Sequence, residues 1–258
     1  MWAASLRLAL AAVLLTGIAL LLRHPFPRGA ALRAALGYGV FQFGLNFSLL
    51  YWGQKTFPSG LTAVLYATIP LSTAIMAAAT GLERLTRVKV AGAVIALGGV
   101  ALLFWGQPLG GVGLLPAAAL FGAATLAAWS SLILKRGPQQ SPVWTTAVGS
   151  LAGLAVCLAV SFATGEPHPL PVRFEQWFPV VYLTLAGSVG AFVLFAWLLN
   201  HWPVTRVSFI GVVNPVVALL LGWAFRDERL TLASLAGSAL VLLGLVFGLR
   251  PERVGREA

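Results

Sequence analysis

The chain has 258 residues, of which 59% are hydrophobic and only 9% are charged, and its formal net charge is +10. A soluble protein of this length could not bury so much apolar surface, because much of a soluble protein's exterior is polar. The basic residues sit at helix ends and in short loops, a distribution typical of membrane proteins. We therefore expect a protein that contacts the lipid bilayer and binds no nucleic acid.

Nine apolar segments follow one another, each about as long as an α-helix that crosses a bilayer. They cover residues 4–22, 33–54, 59–80, 87–105, 112–134, 142–164, 177–199, 204–225 and 230–249. The sequence predicts an all-α, polytopic integral membrane protein with about nine transmembrane helices. The first segment could also be a signal peptide, but no small-residue cleavage site follows Leu22, so we favour a retained helix.

Residues 43–104 and 188–249 form an internal repeat that aligns without a gap at a constant offset of 145. Identical residues occupy 14 of the 62 paired positions, including Pro70 with Pro215 and the tetrapeptide 83–86 with 228–231. Repeated halves in a membrane protein are typical of transporters, whose halves move about a site between them. We expect one repeat unit of four helices at 1–105 and a second of five helices at 112–249.

The distribution of basic residues predicts the orientation in the membrane. Alternate loops and the C-terminal tail hold Arg23, Arg28, Arg33, Arg84, Arg87, Lys89, Lys135, Arg136, Arg206, Arg250, Arg253 and Arg256. The opposite side holds only Arg7, Lys55, Arg173, Arg226 and Arg229. The positive-inside rule places the richer side, and with it the C-terminus, in the cytoplasm. The two repeats then have inverted topology.

No charged residue lies near the middle of a predicted span. An intramembrane carboxylate is the usual carrier of proton coupling, so we expect a facilitator or a carrier coupled through hydroxyl and backbone groups. The three histidines are far apart, and the single cysteine, Cys157, lies in an apolar helix. We therefore expect no metal site, no cofactor and no enzymatic activity.

Polar side chains form a stripe on the second span, where Tyr38, Gln42 and Asn46 follow one another at four-residue spacing. Amides at membrane depth are costly unless they meet a partner or a water-filled cavity. Hydrogen bonding to a neighbouring helix is one explanation. Three polar groups on a single stripe favour the other, in which the stripe forms the wall of a substrate cavity.

Other uncharged polar and aromatic residues are expected to complete this cavity. The full set of candidate substrate-binding residues is Tyr38, Gln42, Asn46, Thr62, Tyr66, Thr73, Trp129, Ser130, Tyr182, Ser188, Ser208 and Asn214. The cavity would lie among the second, third, fifth, seventh and eighth spans.

Two prolines, Pro70 and Pro215, occupy equivalent positions in the repeats and predict a kink in each helix. These kinks either fix the packing or bend during transport. Thr86 and Thr231 suit helix N-caps, with a gating role for the loops before them as the alternative. The glycines at 92, 99, 237 and 244 predict close helix packing.

The run from Gly60 to Pro70, followed by the loop 81–86, resembles the fourth helix and following loop of EamA-type proteins in the drug/metabolite transporter superfamily. The run from Val213 to Thr231 resembles the ninth helix and its loop, and the helix around Trp129 resembles the sixth. The resemblance implies a ten-helix permease of the bacterial inner membrane that exports amino acids or other small metabolites.

We therefore expect a transporter of a small neutral or zwitterionic, amino-acid-like metabolite that works by alternating access between inverted repeats. A non-transporting membrane assembly or accessory component is the alternative, and the sequence leaves a homodimer open. Because the family has ten helices, we also expect this chain to lack the true first helix.

Overall fold

The computed structural model describes residues 1–57, 59–105, 113–226 and 231–249. Within these ranges the chain folds into nine helices without strands, so the all-α prediction is confirmed. We number them α1 (Trp2–Leu21), α2 (30–53), α3 (59–79), α4 (Arg87–Leu103), α5 (Leu114–Arg136), α6 (Pro142–Ala163), α7 (Phe174–His201), α8 (204–226) and α9 (Leu232–Leu249). Each helix coincides with one apolar segment of the sequence.

Six of these helices are long and apolar enough to cross a membrane, by length and composition. They are α1, α3 from Gly60, α5, α6, α7 and α9. In such helices the backbone polar groups are satisfied within the helix, as lipid requires.

Four helices contain internal irregularities. A π-helical segment, Val40–Leu45, lies inside α2, and a second, Leu183–Phe192, lies inside α7. At the repeat offset of 145 these two segments occupy equivalent positions. Neither segment could be predicted from the sequence, because apolar composition does not distinguish π from α turns. Segments of this kind are frequent at functional sites.

The kinks predicted at the two prolines differ between the halves. In α3 the break falls at residues 67–68, and Pro70 lies in the first turn of the segment Ile69–Ala79, where its missing N–H disrupts no helical bond. In α8 the break falls at Phe209, whereas Pro215 lies inside the segment Ile210–Arg226. Both helices are therefore interrupted, but the two breaks do not lie at equivalent positions under the repeat offset.

Helices α4 and α9 pack against each other through glycines. A Cβ atom on Gly99 would lie 2.8 Å from the Gly237 oxygen, and one on Gly92 would lie 2.9 Å from the Gly244 oxygen. Backbones this close tolerate no side chain between them. The contacts also show that the helices are antiparallel, because the later glycine of one faces the earlier glycine of the other.

The loops before α4 and α9 end in the expected caps. The Lys89 N–H donates to Thr86 Oγ1 at 3.4 Å, and the Ser234 N–H donates to Thr231 Oγ1 at 3.1 Å. Both threonines satisfy a backbone donor that the first helical turn would leave unpaired, so the N-cap prediction is confirmed.

Candidate functional site

A cavity of about 380 Å³ lies between α2, α3, α5, α7 and α8. This volume falls within the range of small-molecule sites, roughly 300–1,000 Å³. These five helices are the ones among which the sequence placed the site. The residues that line it are Gln42, Asn46, Phe47, Leu50, Tyr66, Ile69, Ala127, Ser131, Ala191, Phe192, Leu194, Phe195, Leu198, Ser208, Ile210, Gly211 and Asn214.

One wall of the cavity is a chain of hydrogen bonds through α2. The Tyr66 hydroxyl on α3 donates to Asn46 Oδ1 at 2.6 Å, and Asn46 Nδ2 donates to the Gln42 backbone oxygen at 3.2 Å. Behind this wall, the buried Ser130 hydroxyl on α5 donates to Gln42 Oε1 at 2.7 Å. The two amides are therefore held in fixed orientations at the edge of the cavity before any substrate arrives.

The facing wall comes from α7 and α8. Ser208 donates its hydroxyl to the Thr205 backbone oxygen at 2.6 Å, and Gly211 and Asn214 follow on the same helix. Phe192 and Phe195 on α7, with Phe47 on α2, add phenyl rings. None of the lining residues is charged. The walls can therefore hydrogen-bond a neutral or zwitterionic compound while packing rings against its apolar part.

Five of the twelve candidate residues line this cavity: Gln42, Asn46, Tyr66, Ser208 and Asn214. Ser130 lies directly behind the wall through its bond to Gln42. Three of the five candidates on α3 and α8 thus line the same cavity as two of the three residues of the α2 stripe.

The other candidates lie away from the lining. Tyr38 is fully buried and packs edge-on against Phe43, with ring centroids 5.4 Å apart. Because the π-helical segment begins between Tyr38 and Gln42, the angular spacing of the stripe changes there, and Tyr38 leaves the cavity face. Thr73 donates to the Ile69 oxygen of its own helix at 2.7 Å.

Four further candidates have other surroundings. Thr62 is buried in α3, and Trp129 packs against the central apolar cluster around Leu132. Tyr182 is 58% exposed and stacks on Phe178, so it faces outward from α7. Ser188 accepts a hydrogen bond from Arg7. These four residues are not among those that line the cavity described above.

Arg7 is the residue that sequence reasoning missed. The charge distribution places it on the side with few basic residues, whereas the structure buries it in α1 with 8% of its surface exposed. Its Nε donates to Ser188 Oγ at 3.1 Å, and its Cζ lies 5.3 Å from the centre of the Phe47 ring. The signal was available, because position 7 falls inside the first apolar segment.

At the other end of the bundle, Glu83 connects the two halves of the chain. Its carboxylate accepts hydrogen bonds from Lys89 Nζ at 3.0 Å and from the Thr205 N–H, in the first turn of α8, at 3.2 Å. Burial alone would raise the pKa of the Glu83 carboxyl, but the hydrogen bonds from Lys89 and Thr205 outweigh it and lower the pKa. The charged carboxylate thus caps α8 from the loop before α4.

Two basic residues complete this contact region. Lys135 Nζ donates to the backbone oxygens of Leu199 at 2.8 Å and Trp202 at 2.9 Å, and Arg136 donates to the Thr80 oxygen at 2.6 Å. Cations are favourable at helix C-termini, where backbone oxygens are left unpaired. The end of α5 therefore ties together the C-terminal ends of α3 and α7.

The sequence profile of the EamA-like transporter family matches residues 1–105 and, a second time, residues 114–250. The chain belongs to this family. Its members are membrane transporters rather than enzymes, so this chain is a membrane transporter whose substrate is a small molecule.

Several named relatives align over most of the chain. Protein PecM of Dickeya dadantii is 29% identical over 92% of this chain and 80% of its own length. A probable amino-acid metabolite efflux pump of Salmonella typhimurium is 27% identical over 86% of this chain and 79% of its own length. The inner membrane transporter YedA of Escherichia coli is 27% identical, covering 88% and 74% respectively.

A solved crystal structure shares the fold. It superposes with a TM-score of 0.77 over 96% of this chain and 86% of that chain, at 21% sequence identity. The helix arrangement that forms the cavity is therefore that of a known fold.

Proposed function

We propose that this chain exports a small neutral or zwitterionic, amino-acid-like metabolite across the bacterial inner membrane. The observation that carries the proposal is the cavity, whose described walls combine amide and hydroxyl groups with phenyl rings and no charged side chain. Fixed amides orient the polar end of a substrate, and the rings accept its apolar part. The relative named as a probable amino-acid metabolite efflux pump supports the same substrate class.

The mechanism we propose is alternating access between two inverted repeats. Under the repeat offset the contact between Gly92 and Gly244 becomes the contact between Gly237 and Gly99, and both contacts occur. A pair of contacts that exchange in this way is what a two-fold relation between the halves produces. The equivalent positions of the two π-helical segments support the same relation. In transporters of this design, substrate sites lie where the halves meet.

In this proposal the substrate contacts Asn46, Tyr66 and Asn214, and Ser130 keeps the Gln42 amide oriented toward it. Glu83 holds the cytoplasmic ends of the halves together while the opposite side is open. The C-terminus lies in the cytoplasm, as the basic residues predict.

Counterflow in proteoliposomes tests the proposal. Purified protein is reconstituted, loaded with one unlabelled compound, and challenged with radiolabelled amino acids and amines one at a time. We expect saturable exchange of at least one compound and none in protein-free liposomes. If thermal unfolding in detergent shows that the protein is folded but it exchanges no compound of the panel, the accessory-component alternative is supported.

A further inference from the structure

Arg7 is a buried cation in a membrane-spanning helix. Its guanidinium is surrounded by groups of α2 and α7: the Ser188 hydroxyl at 3.1 Å, the Tyr51 side chain, and the rings of Phe47 and Phe192, whose centres lie 5.3 Å and 5.7 Å from Cζ. All of these partners are neutral.

The charge of Arg7 therefore lacks a counter-ion in the part of the chain that the structure describes. The ion pairs found there join Glu166 to the N-terminus and Lys55, and Glu83 to Lys89. A buried arginine without an anion is costly in a membrane protein, and such residues commonly mark a substrate pathway.

The guanidinium lies directly behind the cavity. Phe47 and Phe192 contact it on one side and line the cavity on the other. Gly187 leaves room for it, because a Cβ atom there would lie 3.2 Å from Arg7 Nη2. The two rings therefore lie between the guanidinium and the cavity, so binding a ligand in the cavity requires the arginine side chain to move past their edges.

The repeat shows that the scaffold does not need this charge. Phe47 and Phe192 are equivalent residues of the two halves, whereas the position equivalent to Arg7 is Ala152. The aromatic residue thus occurs in both repeats, whereas the cation occurs only in the first. An asymmetric charge next to a symmetric site fits a ligand with one charged end.

We propose that Arg7 binds the carboxylate of the substrate and makes the transporter selective for carboxylate-bearing compounds over the corresponding amines. This inference rests on the proposed export function and specifies its substrate class. The guanidinium offers paired N–H donors that match the two oxygens of a carboxylate, while the amides of Gln42 and Asn46 contact the rest of the polar end.

The test compares substrates that differ only by the carboxylate. Proteoliposomes with wild type, Arg7→Lys, Arg7→Gln or the exposed control Arg33→Gln are assayed with leucine and phenylalanine and with isopentylamine and phenylethylamine. We expect wild type and Arg33→Gln to prefer the amino acids. Arg7→Gln should lose at least about tenfold in amino-acid flux but change amine flux by less than about twofold, with Arg7→Lys between them.

A second measurement keeps the inference testable if Arg7→Gln folds poorly. Amino acids, but not amines, should raise the unfolding temperature of wild type, and Gly187→Ala, which crowds the guanidinium without removing its charge, should weaken that shift. Equal use of amino acids and amines by wild type, or a parallel loss of both in Arg7→Gln, would overturn the role of Arg7 alone. Absence of any exchange by wild type would overturn the proposed function, and this inference with it.

Discussion

Phe47 and Phe192 occupy equivalent positions in the two halves of the chain, and their ring centroids lie 6.3 Å apart. If the halves are related by a two-fold axis, as proposed above, a residue that contacts its own repeat equivalent lies close to that axis. Both rings line the cavity. Residues from both family-matched segments therefore meet at the cavity, and transporters built from repeats have their substrate sites where the halves meet.

The first prediction concerns the amides of α2. Asn46→Leu and Gln42→Leu should each reduce transport by at least about tenfold, because the amides orient the substrate, while changing the free energy of unfolding by only about 1–2 kcal/mol. Counterflow and thermal unfolding in detergent are measured on the same preparations.

Ser48→Ala is the matched control for these variants. Ser48 lies on the same helix, donates to its own Gly44 oxygen at 2.7 Å and is absent from the cavity lining. Its flux should equal that of wild type. Wild-type flux in both amide variants would show that Gln42 and Asn46 do not contact the substrate.

A second prediction tests the packing of α4 against α9. Gly99→Val should destabilise the protein by roughly 3 kcal/mol, because a Cβ there would lie 2.6 Å from the Val241 nitrogen and force the helices apart. A Cβ atom on the neighbouring Gly98 would meet no described atom within 4 Å apart from its own helical turn, so Gly98→Ala should gain about 0.5–1 kcal/mol from helix propensity.

Thermal unfolding in detergent compares the two variants. A loss of stability in Gly99→Val together with a gain in Gly98→Ala would show that the helix contact at Gly99, and not the loss of a glycine as such, explains the change. Equal melting temperatures for both variants would contradict the close approach of the helices.

The sequence predicted the helices well because lipid imposes a strict rule. A segment must be apolar and about 20 residues long to cross the bilayer with its backbone bonds satisfied, and charges or prolines mark its ends. Gly92 and Gly99 could be assigned to packing from spacing alone, because close backbone approach requires small residues at regular intervals.

The details of the site were harder to predict because they depend on distances. A helical period of 3.6 residues places Tyr38 beside Gln42, but the π-helical segment changes that period and Tyr38 turns into the core. Tyr182 resembled a cavity aromatic, yet it faces outward. Arg7 was assigned to a helix end because only tertiary contacts show that Phe47, Phe192 and Ser188 enclose it.

A third prediction concerns Glu83 and pH. Glu83→Gln should lower the stability of the protein at pH 7 by about 2 kcal/mol, because charged hydrogen bonds to Lys89 and Thr205 are lost. The pKa of this carboxyl is lowered in the folded protein, so its stabilising contribution is complete above the ordinary pKa of about 4.3 and disappears as pH falls through the lowered value.

The difference in melting temperature between wild type and Glu83→Gln is measured from pH 7 down to pH 3. It should shrink toward zero at the acidic end. The exposed Glu175 provides the control, since Glu175→Gln should match wild type throughout. A melting-temperature difference that stays constant with pH would show that the charge of Glu83 does not contribute to stability.

The last prediction tests the inverted topology directly. Single cysteines replace Arg87, at the start of α4, and Arg226, at the end of α8, in a Cys157→Ser background. A membrane-impermeant maleimide should label the cysteine at 226 in intact cells and the cysteine at 87 only after the membrane is permeabilised. The physical reason is the twelve-to-five distribution of basic residues, from which the positive-inside rule predicts a cytoplasmic loop before α4 and an external loop after α8. Two exposed residues calibrate the assay: a cysteine at Arg173 should react from outside and one at Arg84 from inside. Labelling of positions 87 and 226 from the same side would end the inverted-repeat proposal, because loops at equivalent positions of inverted repeats must lie on opposite sides of the membrane.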